Sequence, residues 1–453
     1  MSGLAESTIG NAYREPFMWE LLEELTEIGN RMAGQEGEAR GAEVMKDGFV
    51  RAGARDPQIN EFEIPGWWRE SAALEVTGPT ANVFDRSYEI VALPGSPAAS
   101  VSGELVSVGD GVPEDFDSTD IEGNVVLVSA QTPRTYGRWV NRIEKYTRAE
   151  SGGAAGFIFY NRGVDGGVPP TGAVGFSRNA PGPIPAVGVS NEVGQRLIRY
   201  LEKGEVTVDL SISCRNERAT CRNVEAVVGP DTESEILVTG HVDSHDIGDG
   251  ARDNGAGSVL AAEIGRLLAL NEDRLDTKVR LISFGGEEPG LYGSYYWQEN
   301  HDLDAVKCQV NMDGIGYSRD LMVNGSESVR EVFEESARRL GVPIETNPLS
   351  SVGPFTDQWP FIKEGVASVT CRSREDSAPV RYGNTEWAHT HADTLDKLDW
   401  RDMRDLGIQI ATAVAGLADA ETEIPSVPVS AVRDAVPEPV HEYLRLAGRS
   451  EWE

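Results

Sequence analysis

Cysteine, histidine and lysine are all scarce in this chain, and each scarcity excludes something. Four cysteines stand among 453 residues, at Cys214, Cys221, Cys308 and Cys371. Their spacing fits neither a zinc knuckle nor a disulfide framework, so reduced, partly buried thiols are expected. No stretch approaches the 18 or so apolar residues that a membrane span requires. The opening Met-Ser-Gly-Leu-Ala-Glu-Ser has neither a basic nor an apolar targeting region, and a cytoplasmic location is expected. The six histidines are His241, His245, His301, His389, His391 and His441. The stretch from residue 100 to 213 has none, which makes it a poor candidate for a metal site.

Acid is what the chain has in excess. Asp plus Glu number 74 against 41 Lys plus Arg, a formal charge of -33. A surface this acidic repels nucleic acid and anionic membranes, so neither is expected as a partner. Acid in excess with little lysine is also the pattern expected of a halophilic, probably archaeal-type, adaptation.

The apolar pattern divides the chain. Phe17, Leu21, Leu22, Leu25 and Ile28 lie at helical spacing, and a second helix is predicted from Glu38 to Ala52. Strands are predicted at Gln58–Ile64 and Ala72–Val76. Residues 1–99 are read as the first part of a main domain. Residues 100–213 alternate short apolar runs with glycine-rich turns, as a small mixed β/α accessory domain would. From 214 to 424 strands at Ile236–Thr239, Val279–Phe284, Val306–Val310 and Val366–Thr370 alternate with helices at Gly257–Leu270, Ser328–Leu340 and Asp402–Ala418. That alternation predicts an open α/β sheet, mostly parallel or mixed, with helices on both faces. Residues 425–453 read as a tail with a short helix at Val440–Ala447.

Sites on such sheets lie beyond the carboxyl ends of the strands, and there the chain carries metal-type ligands. The segments are Gly240-His-Val-Asp-Ser-His-Asp246, Gly250-Ala-Arg-Asp-Asn-Gly-Ala-Gly257, Gly285-Gly-Glu-Glu288, Asn311-Met-Asp313 and His389-Thr-His-Ala-Asp-Thr394. Singly they are bland: a His-x-Asp is usually a structural hydrogen bond, Glu-Glu a solvated face, Asp-Asn-Gly a turn. Together they gather acids and imidazoles where one sheet collects its ligands. Zinc takes both donor types, and two ions about 4 Å apart need a carboxylate between them.

In this order the segments resemble the co-catalytic zinc aminopeptidase and glutamate carboxypeptidase family, most of all its carboxypeptidase Q (plasma glutamate carboxypeptidase) branch. Thr356-Asp357 fits the same pattern. Glu122-Gly-Asn-Val-Val-Leu-Val128 and Gly152-Gly-Ala-Ala-Gly-Phe-Ile158 resemble a protease-associated (PA) domain. The resemblance implies a metal-dependent exopeptidase holding two Zn2+, with Mn2+ or Co2+ fitting the same donors. It implies that Asp253 bridges the ions, that His241 and Asp313 hold one and Glu288 and His389 the other. Asp243 would fix the imidazole of His241, and Glu287 would be the general base. His391 competes with His389 for the last ligand place. His245 and Asp246 are expected to line the pocket or face solvent. Trp387 and Ala388 stand where some members carry an oxyanion-binding tyrosine, a role Tyr382 could take.

An exopeptidase must read a chain end. Arg372, Arg374 and Arg381 are candidates for a substrate carboxylate, while acids near the metals would suit an ammonium. Aminopeptidase, carboxypeptidase and dipeptidase stay open. So do a glutaminyl-cyclase-like single-zinc acyltransferase and a non-catalytic binding protein on the same two domains. The expected partner is a peptide, a homodimer stays open, and the accessory domain is expected to roof the cleft, its removal sparing metal affinity.

The charge excess generates the first prediction. Raising salt from 0.1 to 1 M shortens the screening length from about 10 to about 3 Å. The thermal midpoint should therefore rise steadily with KCl over that range. A midpoint that is flat or falls would contradict adaptation to salt.

Overall fold

The computed structural model describes residues 3–175, 181–374, 387–449 and 451–452. Its strands, in chain order, are β1 (Arg55–Thr77), β2 (Asn82–Phe84), β3 (Ile90–Ala92), β4 (Ala99–Ser107), β5 (Val125–Ser129), β6 (Gly156–Tyr160) and β7 (Ala186–Val189). They continue as β8 (Thr207–Val228), β9 (Glu235–His241), β10 (Lys278–Phe284), β11 (Val306–Met312), β12 (Leu321–Gly325), β13 (Ile344–Asn347) and β14 (Ser368–Ser373). The sheet runs β13-β12-β14-β11-β9-β10-β8-β4-β5-β6-β7-β3, with β1 along β8 and β2 at the end of β1.

Strands β10, β9, β11 and β14 are parallel neighbours, while β8 and β12 run antiparallel to them. The centre of this sheet is apolar on both faces, as buried parallel strands must be. Ile236 and Val238 of β9 point into a core built with the helices Phe17–Thr26, Glu36–Arg51, Ala256–Ala269 and Trp400–Leu417. Leu237 faces the other way, with Ile282, Phe284, Trp297 and Phe361. Helix Ala256–Ala269 is buried along almost its whole length, which its run of Ala, Val, Leu and Ile permits. It lies so close to the end of β9 that a Cβ on Gly240 would come within 2.8 Å of the Gly257 backbone.

The two strands predicted at 58–64 and 72–76 are one strand, β1. It pairs with β8 from Arg55↔Val227 to Thr77↔Thr207, with irregularities at Arg55/Gln58 and Arg69/Ser71. Pro65-Gly66 reads as a break, yet β1 has β8 as its only neighbour there. A proline without its N–H is tolerated on such an edge. This ribbon spans both halves of the molecule: β8 pairs with β10 through Val224–Val228 and with β4 through Thr207–Ile212. The accessory core gathers Leu74, Val76, Phe84, Ile90 and Ala92 along with strands β4 to β7.

The tail forms helices Val429–Ala435 and Glu438–Leu446. Val432, Val436, Val440, Tyr443 and Leu444 pack against Ile143 of the accessory domain and Leu291, Tyr295 and Trp359 of the main one. All four cysteines are free thiols, three of them buried. No described helix is long and apolar enough to cross a membrane.

Candidate metal centre

The carboxyl ends of three adjacent parallel strands meet at one place. His241 is the last residue of β9, Glu287 and Glu288 follow β10, and Asp313 follows β11. Asp253 joins them from the turn before helix Ala256–Ala269. Asn254 ties that turn to β11 by donating to Met312 O (2.7 Å), and its own side-chain oxygen accepts from Gly257 N (3.0 Å). Asp393 accepts the Arg252 and Asp253 amides at 2.9 and 3.0 Å. The Asp243 carboxylate accepts the Glu287 and Glu288 amides at 3.1 and 3.2 Å, and lies 3.5 Å from His241 Nδ1.

Two donor groups result, each with its ligand atoms within 4.8 Å of one another: His241, Glu287 and Asp313, and His245, Glu288 and His389. Asp253 stands between them. Its Oδ1 is 3.4 Å from His241 Nε2 and its Oδ2 is 3.1 Å from His389 Nε2. His245, expected to line the pocket or face solvent, is buried inside the second group. Its Nε2 lies 2.7 Å from Glu288 Oε2 and its ring 4.6 Å from that of His389. His391 is exposed and belongs to neither group.

The electrostatics are those of a site built around cations. Burial raises Glu287 far above the usual carboxylate range, with Asp313 and Glu288 adding to the rise against the pull of His241. Burial likewise lifts Glu288 to about 8, with Asp253 adding to it. Burial opposes a charge on His241, yet Glu287, Asp243 and Asp253 hold its pKa well above an ordinary imidazole. Protons thus neutralise a cluster that divalent ions would neutralise better. His241 Nε2 and Glu288 Oε1 are buried without a hydrogen-bond partner, a rarity in folded proteins. Both face the cluster, and the nitrogen and oxygen donors fit a zinc-like ion.

Two groups that a sequence motif does not reveal hold this arrangement. Arg31 is fully buried and donates to the carbonyls of Val242, Leu25, Asp249 and Gly250 at 2.9, 3.2, 2.6 and 3.0 Å. It staples the loop between His241 and Asp253, and burial lowers its pKa to about 10. The accessory domain supplies the second. His389 has a left-handed backbone with φ 58°, a conformation costing about 1–3 kcal/mol for a non-glycine residue. Thr171 N donates to its carbonyl at 2.7 Å, and Arg142 Nη1 lies 2.9 Å from its Nδ1. Removal of the accessory domain would therefore disturb a candidate ligand, contrary to the expectation that metal affinity would be spared. Absence of histidine from residues 100–213 concealed that tie.

Of the candidate substrate arginines, Arg372 lies 3.7 Å from Asp313 Oδ2 and is 40% exposed. Arg374 pairs with Glu345 of the outer strand β13 at 3.1 Å. Arg381 and Tyr382 lie outside the described residues. A cavity of about 340 Å³ opens beside the cluster between the two domains. Its walls include Met32, Trp67, Ala173, Pro289 and Tyr292.

Residues 223–414 match the model of peptidase family M28, and residues 101–197 match the PA domain. The chain belongs to peptidase family M28. It is 28% identical to aminopeptidase YwaD of Bacillus subtilis over 432 residues, 90% of this chain and 86% of that protein. It is 24% identical to carboxypeptidase Q of Bos taurus over 417 residues, 88% of this chain and 84% of the relative. The fold is shared with the crystal structure of a zinc aminopeptidase from Bacillus subtilis, at a TM-score of 0.67 and 23% identity, covering 90% of this chain and 97% of the other.

Two outcomes follow for this M28 peptidase. Arg31→Met leaves four carbonyls without their donor, and should cost about 2–4 kcal/mol of unfolding free energy, read from urea denaturation. Loss below about 0.5 kcal/mol, the range of neutral surface changes, would contradict the staple.

The second concerns pH. Glu288 is raised to about 8, and Asp357 and Asp393 to about 7, in each case first by burial. In the metal-free protein these carboxyls favour folding when protonated, so stability falls as pH rises from about 4 to 8. Zinc added at pH 7 should release protons, seen as a buffer-dependent heat in calorimetry, and should remove that fall. A buffer-independent heat would contradict the assignment.

Proposed function

We propose that this metal-dependent exopeptidase works with two zinc ions, one in each donor group, bridged by Asp253. The observation that carries the proposal is the position of the Asp253 carboxylate, one oxygen toward His241 and the other toward His389. His241 and Asp313 would hold one ion, Glu288 and His389 the other, with His245 beside Glu288 as a further donor. Imidazole and carboxylate would also accept Mn2+ or Co2+. Two donor groups weigh against a single-zinc acyltransferase, and a full complement of donors weighs against a binding protein that has lost catalysis.

When bound, the ions would activate water and draw charge from the scissile carbonyl. Glu287 would take the proton of the attacking water and deliver it to the leaving amine. Its backbone amide is fixed by Asp243, and its burial keeps solvent from competing for that proton. The same Asp243 fixes the amide of Glu288, so one buried carboxylate orients both the base and a ligand. Asp393, through the Asp253 amide, would hold the bridging side chain in register.

Glu287→Gln should lower kcat on a short peptide by about 10²–10⁴-fold while zinc content stays unchanged. Near-normal turnover would remove Glu287 from the base role. Loss of an ion would make it a ligand instead, as its proximity to His241 and Asp313 allows.

A further inference from the structure

Which chain end the enzyme reads is not fixed by the metal donors. A cation does stand at the site, and it comes from the accessory domain. Arg142 opens helix Arg142–Ser151, which Asn141 caps by accepting from Ile143 N at 2.8 Å. Its guanidinium crosses the domain boundary to His389. Nε donates to Ala173 O at 2.9 Å, and Nη1 lies 3.4 Å from Thr171 O and 2.9 Å from His389 Nδ1. Gly172 between those carbonyls has φ 126°, and a Cβ there would fall 2.0 Å from Arg142 Cζ. The turn is thus shaped to seat a planar guanidinium, and only glycine leaves it room.

The seat leaves one edge open. Among the described residues, Nη2 has no hydrogen-bond partner and no carboxylate lies within ion-pair distance of Arg142. Yet the charge faces the reactive cluster, with Glu288, Glu287 and Asp253 as the acids acting on it. Its helix is anchored on both sides. The next residue, Ile143, packs with Val440, Tyr443 and Leu444 of the tail, and Arg148 pairs with Glu442 at 3.3 Å. A desolvated guanidinium with an open edge favours a carboxylate. Arg372 suits that task less well, since it is more exposed and already faces Asp313.

We propose that Arg142 holds the free terminal carboxylate of a short peptide, so that the enzyme removes its last residue as a carboxypeptidase or dipeptidase. The proposal rests on the exopeptidase reading. Consecutive Cα atoms are about 3.8 Å apart, so a carboxylate at Arg142 sets the preceding peptide bond beside Asp253 and Glu287.

The test uses the zinc-loaded full chain and matched dipeptides and tripeptides, each as the free acid and as the C-terminal amide. Wild type, Arg142→Met, Arg142→Lys and Arg372→Met are compared for kcat and KM per zinc-loaded chain. Wild type should favour the acid through KM. Arg142→Met should raise KM for the acid at least about tenfold, the scale of a lost charged contact, and leave KM for the amide unchanged. Arg142→Lys should restore part of the preference, and Arg372→Met should keep it. Calorimetric binding of the released amino acid should weaken in parallel in Arg142→Met, which supplies a readout independent of turnover. Equal cleavage of acid and amide by wild type, or an unchanged acid preference in both Arg142 variants, overturns the proposal while leaving the exopeptidase reading intact. Loss of the preference in Arg372→Met alone moves the site to Arg372. No cleavage of any peptide by wild type overturns both.

Discussion

The structure turns on a concentration of buried charge at the carboxyl ends of β9, β10 and β11. Asp253, Glu287, Glu288 and Asp313 crowd around His241, His245 and His389 in a region mostly closed to water. Like charges buried this near one another are costly unless a counter-charge is present. In the protein alone, protons on Glu287, Glu288 and His241 supply it. Divalent cations would do so while keeping the carboxylates ionised, and the fold spends much of its polar bonding on keeping the donors in place for them. Arg31, Asp243, Asn254 and Asp393 each bond to the backbone of the loops that carry a donor.

The accessory domain belongs to this constraint and is more than a cover. The β1–β8 ribbon runs through both halves without interruption, and the tail joins Ile143 to Tyr295 and Trp359. Across that joint, Thr171 and Arg142 reach the strained His389. Substrate recognition and integrity of the metal centre therefore share a residue, and movement between the domains would register on both.

Much of this was legible in the sequence where physics is local. Apolar runs ending in Gly-His, Gly-Gly-Glu or Asn-Met-Asp mark buried parallel strands that finish at the site, and the observed strands β9, β10 and β11 extend each run by only a few residues. The long ribbon was read as two strands because Pro65-Gly66 is a strong local break signal, whereas tolerance of it depends on β1 lying at an edge. His245 gave no sign of its place, since only the turn after β9 decides whether it faces Glu288 or solvent. Arg31 and Arg142 act on residues 211 and 247 positions away. No spacing rule reaches that far, and the arginines near His389 in sequence drew attention instead. Of those, Arg374 bonds to Glu345 at the outer edge of the sheet.

The central claim is that the buried cluster is a two-cation centre. Its most direct test is elemental analysis of the protein dialysed to equilibrium against buffered zinc, expressed as ions per chain. Two zinc ions per chain in wild type, falling when Asp253 is replaced by asparagine, is the predicted result. One ion or none in wild type would contradict the account.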